Sequence, residues 1–237
     1  MLVSHQHRFI FLKTRKTAST SVEIALSALS QDPQDIITPI SREDEKTRRR
    51  MGLPRPKNYL APAPEYRSKD LVKLLTKLKA KKRFYNHMPA SSVKPLVSEA
   101  AWREYKIISI ERHPFDRIIR SYYWRTRRSP GQIDINEYIE KCPEPILSNW
   151  NIYAIKEEVV ASFMLKYEDI KHDMTRLSHY LNLDKPIELP QQTTKGSSRK
   201  DRRHWSEVLS EDSKNRIRDA CRREANYFNY DLSDPGQ

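Results

Sequence analysis

Between Lys13 and Ser21 the chain reads Lys-Thr-Arg-Lys-Thr-Ala-Ser-Thr-Ser, which puts three cations and five hydroxyls into nine residues. Placed where a strand hands over to a helix, such a loop offers ammonium, guanidinium, hydroxyl and backbone N–H donors to one tetrahedral anion, a phosphate or a sulfate group. The plainer reading of the same residues is a solvated turn ahead of a capped helix. Further along, Glu111-Arg112-His113-Pro114-Phe115-Asp116-Arg117 is followed by Ser121-Tyr122-Tyr123-Trp124. An arginine at a strand end can hold phosphate oxygens bidentately, although from these residues alone a buried salt bridge is the default for Arg112. Thr194-Lys195-Gly196-Ser197-Ser198-Arg199 is either a late basic binding loop or a flexible linker before the last helix. Of seven histidines, His87 lies in Asn86-His87-Met88-Pro89-Ala90 at the end of a short strand. An imidazole with an ordinary pKa of about 6.5 can take up a proton at neutral pH, and the alternative is a satisfied histidine at a strand end. His113 packs or caps beside Arg112, and His5, His7, His172, His179 and His204 read as surface positions. No His, Cys or carboxylate spacing matches a metal site.

These residues need elements to position them. Arg8 to Leu12 reads as a short buried strand, and Lys13 to Ser19 as the loop after it. Thr20 and Glu23 then fit a capping box, with Val22, Ala25, Leu26 and Leu29 at helical period. From Gln31 to about Pro64 the pattern dissolves among prolines, with Arg48-Arg49-Arg50 inside it, so residues 31–83 read as a loop-rich insertion or a lid. Within that stretch Leu71, Leu74, Leu75 and Leu78 mark an amphipathic helix whose other positions are mostly lysine. Those lysines are a solvated face, or an electropositive wall that attracts an acidic glycan. Arg83 to His87 reads as a second short strand and Tyr105 to Glu111 as the clearest one. Pro114 suits the first turn of a helix whose Phe115, Ile118, Ile119 and Tyr122 pack on the sheet. Val159 to Tyr167 reads as another strand, with Ile170, Met174, Leu177 and Leu181 on a following helix. A last helix spans Ser210 to Asn226. Alternating strands and helices predict an α/β domain, residues 1–237, around a parallel sheet flanked by helices.

Composition narrows the chemistry. There are 44 Lys+Arg against 31 Asp+Glu, a formal charge of +13, and four glycines: Gly52, Gly131, Gly196 and Gly236. A Walker A loop and a Rossmann fingerprint both need clustered glycines, and neither can be written with these positions. A phosphate-type group must then be held by side chains. The basic surplus points to an anionic partner. Two cysteines, Cys142 and Cys221, are too few for a disulfide-stapled secreted fold. Phe9-Ile10-Phe11-Leu12 is far short of the roughly 20 residues of a membrane span, so a soluble, cytoplasmic protein is expected.

Lys16 to Ser21, after an apolar strand, resembles the 5′-phosphosulfate loop of sulfotransferases that use 3′-phosphoadenosine 5′-phosphosulfate (PAPS). The form Lys-Thr-Ala-Ser-Thr-Ser is most like the carbohydrate enzymes of the 2-O-sulfotransferase branch. Arg112 and the following helix resemble the same family's 3′-phosphate site. That family usually has its serine eight residues after the arginine, where this chain has Arg120; Ser121 follows, and either can serve. Lys195, Gly196, Ser197 and Arg199 resemble the loop that closes over the 3′-phosphate and adenine. Asn149-Trp150-Asn151-Ile152-Tyr153 and Lys166-Tyr167-Glu168-Asp169 are similar to segments taken as structural in relatives. The resemblance spans most of the chain outside about residues 31–80. It implies a P-loop-kinase-like sulfotransferase fold, with the sulfuryl group moving in line from PAPS to a hydroxyl of a carbohydrate or other small acceptor. It further implies that Lys13, Arg15, Lys16, Thr17, Ala18, Ser19, Thr20, Ser21, Arg112 and Ser121 bind the donor, that Lys16 offsets leaving-group charge, and that His87 is the base. No metal is required. A small-molecule or nucleoside kinase is the second reading, against which the missing glycines count, and a non-catalytic nucleic-acid-binding protein is the third.

Overall fold

The computed structural model describes residues 1–190 and 203–234. In chain order it begins with β1 (Leu2–Ser4), β2 (Phe9–Phe11), α1 (Ser19–Ser27), β3 (Ile36–Ile37) and α2 (Arg42–Arg50). Next come α3 (Ser68–Lys77), α4 (Ala90–Val93), α5 (Glu99–Glu104), β4 (Lys106–Glu111) and α6 (Pro114–Thr126). Then follow α7 (Ile135–Lys141), α8 (Glu144–Leu147), α9 (Trp150–Tyr153), and the hairpin β5 (Ala154–Ile155) and β6 (Glu158–Val159). β7 (Phe163–Lys166), α10 (Ile170–Tyr180), α11 (Trp205–Val208), α12 (Glu211–Ala220) and α13 (Arg222–Phe228) complete it.

The chain is an α/β protein with a central five-stranded sheet in the order β3-β1-β2-β4-β7, flanked by helices. The sheet is mixed, which corrects the all-parallel expectation. β2, β4 and β7 run parallel, with Phe11 opposite Ile108 and Ile110 opposite Leu165. β1 is antiparallel to both β2 and β3. A tight turn over residues 5–8 reverses the chain between β1 and β2, so this pair needs no helical crossover.

Period-two alternation assigns each strand residue to one of two cores. Phe9, Phe11, Ile108 and Ile110 face α1 and α10, packing against Val22, Leu26, Met174 and Leu177. Ile10, Leu12 and Ile107 face the other way, onto Phe84, Val93, Trp150, Tyr153 and Phe228. A third core lies off the sheet. Phe115, Ile118 and Ile119 of α6 pack on Ile135, Ile139, Leu147, Trp205 and Ile217, so this stripe covers other helices instead of strands.

Several local readings change. α1 starts at Ser19 from Ala18 in a left-handed conformation, without a side-chain cap. Glu23 caps nothing; it is fully buried. The segment 31–83 gives β3 to the sheet edge and Arg48, fully buried, to the interior, so its first half belongs to the body. Arg83 to His87 is not a strand. The apolar run from Val159 divides into β6 and β7. There the Ser162 hydroxyl bonds both the N–H (3.0 Å) and the C=O (3.1 Å) of Ile107 in place of a backbone rung. The final helix breaks at Cys221, whose φ of −112° leaves the helical range.

Candidate functional site

β2 and β4 are parallel neighbours, so the loops after Phe11 and after Glu111 leave the sheet at the same edge. They meet at a cleft of about 650 Å³, into which Lys16, Thr20, Ser21, His87, Arg112 and Ser121 all project. Two stretches some ninety residues apart in sequence, picked out for anion chemistry, are thus brought together with the histidine. Lys195, Gly196, Ser197 and Arg199 lie outside the described residues.

The first loop is built largely from its own polar groups. Thr14 and Thr17 share a hydroxyl–hydroxyl bond of 2.7 Å, the Thr14 hydroxyl also donates to the Ile110 carbonyl, and Ser19 Oγ donates to the Thr14 carbonyl at 2.6 Å. Thr17 is fully buried, its hydroxyl turned to Thr14, and it does not line the cleft. Lys16 (φ 60°) and Ala18 (φ 61°) are both left-handed. Non-glycine residues at positive φ cluster where function holds them. In the first turn of α1 the Ser21 N–H already donates to the Ala18 carbonyl at 2.9 Å, whereas the Ser19 and Thr20 N–H groups precede the first intrahelical bond, and Ser19, Thr20 and Ser21 line the cleft.

Of the loop's cations, Lys13 is committed inward. Its ammonium sits 2.5 Å from Glu23, which Arg48 approaches at 3.5 Å. Burial pushes the Glu23 carboxyl up, but the Lys13 ammonium, the Met1 amine and Arg48 outweigh it and hold the pKa at about 2. Lys16 turns its ammonium over the Trp124 ring at 4.2 Å, a cation–π contact. Arg15 reaches the cleft with its side chain, while its backbone is clamped by Asn149: its N–H donates to Oδ1 at 3.0 Å and its C=O accepts from Nδ2 at 3.1 Å.

On the second loop, Arg112 pairs with Asp116 at 3.3 Å and lies 3.8 Å over the Tyr167 ring. Its Nε is buried without a hydrogen-bond partner. The Arg120 guanidinium also lies over the Tyr167 ring, 5.9 Å from its centroid. Both Arg120 and Ser121 line the cleft, and Ser121 Oγ also bonds the Tyr138 hydroxyl at 3.1 Å.

His87 occupies a loop at φ 62°, not a strand end. Its Nδ1 lies 3.0 Å from the Lys13 carbonyl. A carbonyl only accepts, so Nδ1 carries the hydrogen and Nε2 keeps its lone pair. Burial first, and then the Lys13 ammonium, drive the imidazole pKa down to about 3. The ring is therefore neutral at pH 7.

Sequence reasoning missed Trp124, Tyr167, Asn149 and the start of α2, whose Ser41 and Asp44 also line the cleft. Trp124 had a signal: it is one helical turn beyond Arg120 on the same face of α6. Tyr167 follows β7, the third parallel strand, and a strand end at that edge is where a ligand contact is expected. Asn149 gave no local signal, because its role is a tertiary bridge.

Among the described residues no group of His, Cys, Asp and Glu could hold a metal, and no helix is long and apolar enough to cross a membrane. No protein-family model, curated protein or solved structure matches this chain.

Proposed function

We propose that this chain is a PAPS-dependent sulfotransferase of P-loop-kinase-like fold, acting on a hydroxyl of a carbohydrate or other small acceptor. The observation that carries the reading is the convergence of the Lys16–Ser21 helix start, Arg112 and a neutral His87 on one cleft. The residues present fit a donor with two separate phosphate-type groups. One would lie at the first turn of α1; the other would supply the partner that the buried Arg112 Nε lacks. When bound, PAPS brings an activated sulfuryl group on a phosphosulfate.

In this reading Thr20, Ser21 and the α1 N–H groups orient the sulfate end, and the Lys16 ammonium stabilises charge on the leaving phosphate. His87 Nε2 takes the acceptor's hydroxyl proton, with Nδ1–H held on the Lys13 carbonyl. An anion in the cleft offsets the Lys13 and Arg15 fields on the imidazole, and so raises its basicity when it is needed. A cytoplasmic location and an acidic acceptor remain part of the proposal.

Calorimetry with adenosine 3′,5′-bisphosphate, ADP, ATP and a DNA duplex tests it. Selective binding of the bisphosphate is expected. Preference for ATP would point to a kinase, and salt-steep duplex binding to nucleic-acid recognition. Lys16→Ala should abolish sulfate transfer with the fold intact, and Arg112→Ala should weaken bisphosphate binding. A His87→Ala variant that binds bisphosphate normally yet transfers at full rate would remove His87 from the reaction.

A further inference from the structure

Between Arg67 and Arg83 the chain carries eight cationic side chains against one carboxylate, Asp70, which is a surplus of +7 within a chain of formal charge +13. α3 winds through this stretch, and its Val72, Leu74 and Leu75, with Leu78 just past its end, enter none of the three cores. Val72 is 57% exposed, Leu75 80% and Leu78 89%, the highest values for large apolar side chains among the described residues, with Leu74 beside them at 36%. Water is a poor solvent for such a stripe, and a monomer rarely leaves one uncovered without use.

The arm that bears α3 is closed at its base. The Ala61 N–H donates to the Lys81 carbonyl at 2.9 Å and the Arg83 N–H to the Tyr59 carbonyl at 2.9 Å, while Phe84 is buried in the core. Asp70 is taken by Lys81 at 3.4 Å. Lys69, Lys77, Lys79 and Lys82 remain exposed around the apolar residues.

We infer that α3 is a docking element for the anionic surface of a lipid bilayer. Leucine and valine side chains enter the acyl boundary, while lysine stems run along it and leave their ammonium groups among the headgroups. Each lysine near an anionic leaflet adds attraction that salt weakens. A second copy of this chain is a poor occupant, because two such arms bring like surpluses of charge together. A protein partner is also disfavoured by the chemistry on offer. The exposed face of α3 has no Trp, Tyr or Arg, the residues that anchor protein interfaces. This inference is independent of the reaction proposed above.

The test is co-sedimentation of the full chain with vesicles of phosphatidylcholine alone and with about 30% phosphatidylserine added. Binding is expected on the anionic vesicles only, and should fall at least tenfold, roughly 1.4 kcal/mol, in the double variant Leu75→Asp, Leu78→Asp. Both side chains are exposed, so the fold should survive, and unchanged circular dichroism and thermal unfolding would verify that. Lys77→Glu with Lys79→Glu should weaken binding while leaving the apolar residues in place. No binding to anionic vesicles overturns the inference. So does binding that the leucine variant leaves unchanged, which would put the contact elsewhere on the basic surface. If light scattering shows a dimer that the leucine variant converts to a monomer, a second copy covers the face and the lipid assignment is wrong.

Discussion

Replacing Glu111 by glutamine should remove a pH dependence from the stability of this protein. Glu111 ends β4 and is fully buried. Its Oε1 accepts from the Arg112 N–H at 2.9 Å and Asn149 Nδ2 at 3.2 Å, with Arg117 Nε at 3.4 Å, while Oε2 has no partner. Glu224 is buried nearby and accepts from Ser148 Oγ (2.6 Å) and the Asn149 N–H (2.9 Å). Two buried carboxylates therefore share the charge of one guanidinium. Burial raises the Glu111 pKa from 4.5 to about 7, the Glu224 charge adds to the rise, and Arg117 opposes it. The folded state thus holds a proton that the unfolded state releases between pH 4.5 and about 7. The associated stability is fully present below pH 4.5 and is lost as pH rises to about 7. At 1.36 kcal/mol for each pKa unit, the loss is about 3 kcal/mol. Other groups titrate too, so the informative quantity is the difference between Glu111→Gln and the parent. Urea unfolding followed by tryptophan fluorescence at a pH below the window and again above it measures that difference. The variant should gain about 3 kcal/mol on the parent across the window. A difference that stays flat with pH, or turns against the variant at high pH, would refute the reasoning. Either result would mean that Arg117 keeps Glu111 ionised throughout.

Two other perturbations bear on the loop. Ala18→Gly should stabilise the protein by about 1 kcal/mol, because φ 61° costs an alanine what a glycine does not pay; thermal unfolding checks it, with bisphosphate affinity preserved. Asn149→Ala removes both bonds to the Arg15 backbone and one to Glu111. It should weaken bisphosphate binding about tenfold, near 1.4 kcal/mol, without abolishing folding. Affinity equal to the parent's would mean the loop holds its shape unaided.

What could be read from the sequence was whatever had a local physical signature. The Ile107, Ile108, Ile110 run marked β4, Pro114 marked the start of α6, and the stripe of Ile170, Met174, Leu177 and Leu181 marked α10, all as found. The first loop and Arg112 were legible because cations and hydroxyls were concentrated between apolar elements. β1 and β3 were not: Leu2–Ser4 and Ile36–Ile37 are as short as β2 or shorter and lack the unbroken apolar run, Phe9 to Leu12, that made β2 legible. Glu23 was misread for a physical reason: three residues after Thr20 it has the spacing of a cap, and nothing local reveals that Lys13 and Arg48 enclose it. Asn149 and Tyr167 act through partners distant in the chain.

The scarcity of glycine has a structural counterpart at the cleft. Holding Lys16 and Ala18 left-handed costs roughly 1–2 kcal/mol each, and an isolated loop of these residues would relax to another shape. Buried contacts keep it in place from two sides. Lys13, at the entry, is locked to Glu23 and through it to Arg48 of α2; Arg15, in the middle, is clamped by Asn149, which also binds Glu111. A glycine loop gains its shape from permissive backbone and adapts to its ligand. A loop strained at two residues and fixed by buried polar groups is shaped before the ligand arrives, and its donors need little reorganisation. This arrangement also constrains the segment 31–83. Moving α2 as a lid would draw the fully buried Arg48 out of the interior and break its 3.5 Å approach to Glu23, so α2 belongs to the body that holds the loop and not to a lid over it.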